Sequence, residues 1–145
     1  MNENIEMLEY IYKASNMGHS STEDLLKELK DKDNKIRKLA ENINKEYEKY
    51  EKESLKLLKK NKKEPKTAGA IADIMSKMNI KKEVITDNSD ASIADMLIKG
   101  LTMGNIEIEK RIENFKNYID KDILKIAKNF KKFGENYAEE LKKFL

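Results

Sequence analysis

The sequence predicts an all-α protein, a bundle of four long amphipathic helices. Three observations carry that expectation. Charged residues make up 39% of the 145-residue chain and hydrophobic residues another 39%, a balance suited to helices with one wet face and one dry face. One proline and five glycines leave long stretches uninterrupted. Apolar residues recur at three- and four-residue spacing over four separate segments.

The first segment runs from about Asn4 to Lys30. Gly18, followed by Ser20, Ser21 and Glu23, has the look of a helix stop and a capping box. However, Leu8, Ile11, Tyr12, Ser15, His19, Thr22, Leu25, Leu26 and Leu29 keep one register across that point. A break would lose it, so the spacing predicts one helix, kinked at most at Gly18. The second helix is expected from about Asn34 to Lys62, with Ile36, Leu39, Ile43, Tyr47, Tyr50, Leu57 and Leu58 on one face. The third runs from about Asp90 to Asn117, entered through the capping-type residues Asn88, Ser89 and Asp90. The fourth starts near Lys121 and presents Ile123, Ile126, Phe130, Phe133, Tyr137, Leu141 and Phe144.

The connections set the topology. Helices 1 and 2 are separated by a few residues around Asp31 to Asp33, and helices 3 and 4 by a short piece around Tyr118 to Asp120. Links this short force antiparallel hairpins. Between the hairpins lie the residues from Lys63 to Asp87, opening with Pro65 and containing a short apolar helix pattern from Ala68 to Ile80. A segment of that length can run the whole bundle. The sequence therefore favours two antiparallel hairpins joined by a long crossover carrying a short helix, within one domain spanning 1–145. The rival is an up-down-up-down bundle with the short helix capping one end.

Composition excludes several classes. Without cysteine there is neither a disulfide framework nor a thiolate metal site. The beginning MNENIEMLEY lacks a basic region followed by an apolar run, so no signal peptide is expected, and no stretch reaches about 18 apolar residues. A cytoplasmic setting without a membrane partner follows as the expectation. The basic residues are 28 lysines plus Arg37 and Arg111, balanced to a net charge of +3. The densest run, Lys56 to Lys66, holds no aromatic ring, so it reads as a solvated helix end and no nucleic-acid partner is expected.

Gly100 and Gly104 lie four apart inside the third helix, where each costs about 1 kcal/mol against alanine. On a helical wheel they fall within about 80° of Ile93, Leu97, Ile108 and Phe115, and Gly134 takes an equivalent place among Phe130, Phe133 and Tyr137. The expected reason is packing: a close neighbouring helix, or a ring lying flat on the backbone. A second reading is a small apolar-ligand cavity around Gly100, Gly104 and Gly134. The third helix is also apolar over more than one stripe, through Ile93, Ala94, Met96, Leu97, Ile98, Leu101, Met103 and Ile106. Such a helix is covered on a second side, by the crossover or by another copy. Met75, Met78, Met96 and Met103 suit an adaptable contact. Met96, Gly100, Met103, Gly104 and Gly134 are therefore the candidate interface or packing residues.

Catalytic chemistry has few candidates. The chain has one histidine, no glycine-rich phosphate loop and no nucleophile elbow, and no catalytic residue is assigned. A four-helix bundle can hold a carboxylate-bridged metal pair, given inward carboxylates and Glu-x-x-His on two helices. Glu-x-x-His is absent. His19, Glu46 and Glu107 are the candidate ligands of a divergent site for Fe or Mn. Each also has a plain structural reading: His19 bonded to a neighbouring hydroxyl, Glu46 beside a tyrosine or lysine, and Glu107 paired with Arg111.

The runs MLEYIYKASNMG, I-x-x-I-M-S-K-M and S-I-A-D-M-L-I-K-G-L-T-M-G resemble those of small bacterial ferritin-like proteins of unknown function. The likeness spans essentially the whole chain and rests on packing patterns. It implies a ferritin-like bundle and does not imply iron storage, because the Glu-x-x-His ligands are missing. The expected function is a non-catalytic ferritin-like bundle acting through protein contacts as a homo-oligomer without a cofactor. The alternatives are the divergent metal-carboxylate protein and the apolar-ligand binder.

Overall fold

The computed structural model describes residues 2–61 and 88–145. Four long helices account for most of them: α1 (Glu3–Glu28), α2 (Arg37–Lys60), α3 (Asp90–Phe115) and α4 (Lys121–Leu141), with a 3-10 turn at Lys142–Phe144. The described residues contain no strand. The expected crossover from Lys63 to Asp87, with Pro65, Met75, Met78 and the short helix from Ala68 to Ile80, lies outside the described residues.

Local chemistry explains the helix ends. Asn2 caps α1 by accepting the amide of Asn4 at 2.9 Å, with Glu3 and Glu6 in the first turn favouring its positive end. Ser89 caps α3 by accepting from the Ser92 amide at 3.2 Å, as the Asn-Ser-Asp run suggested. Helix α1 is continuous through Gly18. Helix α2 starts at Arg37, three residues later than expected, and Ile36 at its N-cap makes no side-chain capping bond.

Two side-chain contacts fix the directions of the helices. At one end, the Asp120 amide before α4 donates to Asn4 Oδ1 at the start of α1, 2.9 Å away. At the other end, Asn34 Nδ2 in the α1–α2 turn donates to Asn88 O and to Asp90 Oδ1 at the start of α3, both at 2.8 Å. The start of α1 thus meets the end of α3, and the end of α1 meets its beginning. Hence α1 and α4 run one way, α2 and α3 the other. Helix α2 packs along α1 and α3 along α4, closed into a bundle by α1–α3 and α2–α4 contacts.

One core links all four helices. It includes Met7, Leu8, Ile11 and Leu25 of α1, Ile43 and Leu58 of α2, Ile93 and Ile108 of α3, and Ile123 and Phe130 of α4. Their burial supplies the main driving force, at about 1.5–3 kcal/mol per large apolar side chain. Three polar residues, Ser15, Thr22 and Ser54, are buried too, and each hydroxyl donates to a backbone carbonyl within its own helix. That self-satisfaction lets small polar residues occupy core positions at little cost. No helix among the described residues is long and apolar enough to cross a membrane.

Candidate functional site

The centre of the bundle is filled by rings resting on glycines. The Tyr47 ring of α2 covers the backbone of Gly18 in α1 so closely that an added Cβ would come within 3.0 Å of its carbons. Tyr47 meets Phe133 of α4 edge-on, with centroids 5.0 Å apart. Tyr50, Phe130 and Tyr137 extend the cluster, with Tyr50–Phe130 at 5.3 Å and Phe133–Tyr137 at 5.5 Å, both edge-to-face. On the other side, the Tyr10 hydroxyl donates to the Gly104 carbonyl at 2.9 Å. Gly134 is buried beneath the Asn105 carboxamide of α3, which also leaves no room for a Cβ.

Burial sets the chemistry of these phenols. It pushes the Tyr10 and Tyr47 hydroxyls well above the ordinary tyrosine range, since a phenolate would be desolvated there. Tyr50 is pushed up to about 12 by burial, with the carboxylates of Glu46 and Glu53 adding to the effect. Burial, then Glu46 and Glu140, raises Tyr137. Glu46, half-buried on α2, is near enough to Tyr50 and Tyr137 to raise both phenols.

His19 and Glu107 occupy other surroundings. The His19 Nδ1 lies 3.4 Å from Glu51 Oε2 and its Nε2 3.8 Å from Glu48 Oε2, both on α2. Asn16 Nδ2 donates to the same Glu51 oxygen at 3.3 Å, while Lys52 holds Glu48 at 2.8 Å. Instead of a hydroxyl, the histidine ring faces two carboxylates. The neighbouring hydroxyl of Thr22 is engaged with the carbonyls of Gly18 and His19. Glu107 accepts from Arg111 Nη1 at 3.1 Å, which holds its carboxyl below the usual carboxylate range. Arg111 in turn lies over the Tyr10 ring, 4.1 Å from its centroid. His19, Glu46 and Glu107 each have separate partners, and among the described residues no group of three or more His, Cys, Asp and Glu is placed to hold a metal ion.

The glycines divide by environment. An added Cβ at Gly104 would stand 4.0 Å from the Tyr10 hydroxyl, ordinary contact. Gly100 is exposed, and among the described residues nothing lies within 4 Å of where its Cβ would be. Gly100 thus departs from the expected apolar face. The buried side of α3 follows Ile93, Ala94, Leu97, Leu101, Ile108 and Ile112, and Gly100 falls at its rim. The space over Gly134 is taken by Asn105, while Gly104 adjoins the Tyr10 hydroxyl.

Two surface features remain. On the outward side of α3, Met103 is 53% exposed and Ile106 52%, while Met96 and Ile98 are half-buried against the core. On the far side of the bundle, a shallow open groove runs between the end of α2 and the start of α4. Leu57 and Ile126 line it together with Lys56, Lys60, Lys125 and the acids Glu53 and Asp122. The sequence reading missed Asn105, Glu48 and Glu51. The last two are three residues apart and so share one side of α2, but that spacing does not say which helix the side faces. No protein-family model matches the chain, nor does any curated protein or solved structure.

Proposed function

We propose that this chain is a ferritin-like bundle that works through protein–protein contacts, beginning with its own self-association. The ferritin-like reading is supported by the directions of the helices, because α2 and α3 run the same way, as the corresponding helices do in bundles of two antiparallel hairpins. The contact reading is carried by one observation. Met103 and Ile106, three residues apart on the outward side of α3, are both more than half exposed. Large apolar side chains placed together on a rigid helix mark contact surfaces when a partner covers them. Gly100, one turn earlier, leaves the surface flat where a partner backbone would approach.

Sedimentation velocity of the full chain at micromolar concentration tests this. The expected result is a species heavier than the 16.9 kDa monomer, returned to monomer by Met103→Ser with Ile106→Ser. A wild-type monomer across the concentration range would overturn the proposal.

A further inference from the structure

A polar seam joins α1 to α2 beside the contact of Tyr47 with Gly18. Asn16, His19 and Thr22 line it from α1, three residues apart, and Asn44, Glu48 and Glu51 line it from α2. Asn44 Nδ2 donates to the His19 carbonyl at 3.1 Å and to the Thr22 hydroxyl at 2.9 Å. At the other end of the seam Asn16 Nδ2 donates to Glu51 Oε2. The amides and the hydroxyl keep their character at any ordinary pH. The imidazole between them does not.

His19 is the one histidine of the chain. Its side chain is 24% exposed, so protons reach it while water screens it only in part. The two ring nitrogens stand against two different carboxylates, Nδ1 3.4 Å from Glu51 and Nε2 3.8 Å from Glu48. A neutral imidazole carries one N–H and turns a lone pair toward one of those acids, whereas an imidazolium turns an N–H toward both. The ring is therefore attracted from both sides only when it is charged.

The charged groups around it divide the work. From α2 they are Glu48 and Glu51, with Lys52 bonded to Glu48 at 2.8 Å. Lys52, and to a smaller degree His19, hold the Glu48 carboxyl below the usual carboxylate range. Because Lys52 already compensates Glu48, Glu51 is the main acid for the ring. The Tyr12 hydroxyl, raised first by burial and then by Glu51, stays neutral beside it. On α1 itself, Glu23 lies one turn further on and is exposed.

We infer that His19 is a charge-dependent tie between α1 and α2. Protonated, it bridges Glu48 and Glu51 across the seam; neutral, it releases both acids while the Asn16 and Asn44 bonds stay. This tie does not depend on the self-association proposed above.

A double-mutant cycle tests it. Wild type, His19→Gln, Glu51→Gln and the double variant are unfolded in urea at about pH 5 and about pH 8, the limits between which an unperturbed histidine changes charge. Both substitutions keep a polar side chain, and glutamine at position 51 still offers Asn16 an acceptor. At the acid end, coupling between the two positions is expected to change the unfolding equilibrium constant about two- to fivefold. At the alkaline end it is expected to vanish. The ring-proton magnetic resonance of the single histidine gives a second readout, expected to titrate at lower pH in Glu51→Gln than in wild type. Coupling of equal size at both pH values would overturn the tie and leave His19 as a packing residue. A resonance that titrates at the same pH with and without the Glu51 carboxylate would overturn it as well.

Discussion

The ring of Tyr47 rests directly on the backbone of Gly18, joining the second helix to the first at a point where any larger residue would collide with it. The contact explains why α1 tolerates a glycine in mid-helix. The helix loses about 1 kcal/mol of propensity against alanine, and in exchange a buried phenol packs against the α1 backbone and extends the aromatic cluster toward Phe133. Gly100 in α3 has no such neighbour among the described residues.

These two glycines form a matched experiment. Gly18→Ala is expected to destabilise the protein by about 1–3 kcal/mol, because a buried ring between two helices cannot withdraw as a surface side chain would. Gly100→Ala is expected to stabilise it by up to about 1 kcal/mol, since the site is open and helical. Urea unfolding followed by circular dichroism measures both. Equal effects of the same sign would contradict the packing described for Gly18.

The contrast also shows what was legible in the sequence. The four helices, the short hairpin turns, the Ser89 cap and the unbroken register through Gly18 were all readable, because each depends on residues close together in the chain. Asn105 over Gly134 was not readable, since it joins positions on different helices and neither has a periodic signature. Gly100 was assigned to the apolar face because a wheel gives angles and does not say where the core direction is centred. Among the candidate ligands, Glu107 was legible through its four-residue spacing to Arg111. The carboxylates facing His19 come from α2, so only the fold could select Glu48 and Glu51 among the glutamates of that helix.

Arg111 ties α3 to α1 through the face of Tyr10 and to its own helix through Glu107. Replacing it by alanine removes the stacking, the packed side-chain stem and the partner of Glu107 together. A loss of about 1–2 kcal/mol is expected. Arg111→Lys is expected to recover only part of it, because a compact ammonium lacks the planar surface that stacks on the ring. Full recovery by lysine in thermal unfolding would show that charge alone matters there.

Asn34 uses one amide nitrogen to hold two acceptors at the start of α3, the Asn88 carbonyl and the Asp90 carboxylate. Asn34→Ala leaves both without that donor, while the Lys35 amide, 3.3 Å from Asp90 Oδ2, still ties the α1–α2 turn to α3. The expected cost is about 1–2 kcal/mol. Hydrogen exchange should rise first at the amides of the opening turn of α3. Uniform exchange along α3 would mean that the turn is held in place by apolar packing alone.

Alkaline pH is expected to unfold the protein through its buried phenols. Tyr50 ionises near 12 in the folded chain, against the ordinary value of 10.0, because burial penalises the phenolate first and nearby Glu46 and Glu53 repel it. A group whose folded value is raised binds its proton more tightly when folded, so its stabilising contribution is complete below the unfolded value and is lost as pH rises through the folded one. Stability should therefore be insensitive to Tyr50 below about pH 10 and decline between about pH 10 and 12. Tyr10 and Tyr47, shifted in the same direction, steepen that decline. Tyr50→Phe is expected to make it shallower. Urea midpoints measured across that range decide the matter, and an unaltered slope in Tyr50→Phe would place the alkaline sensitivity at other groups.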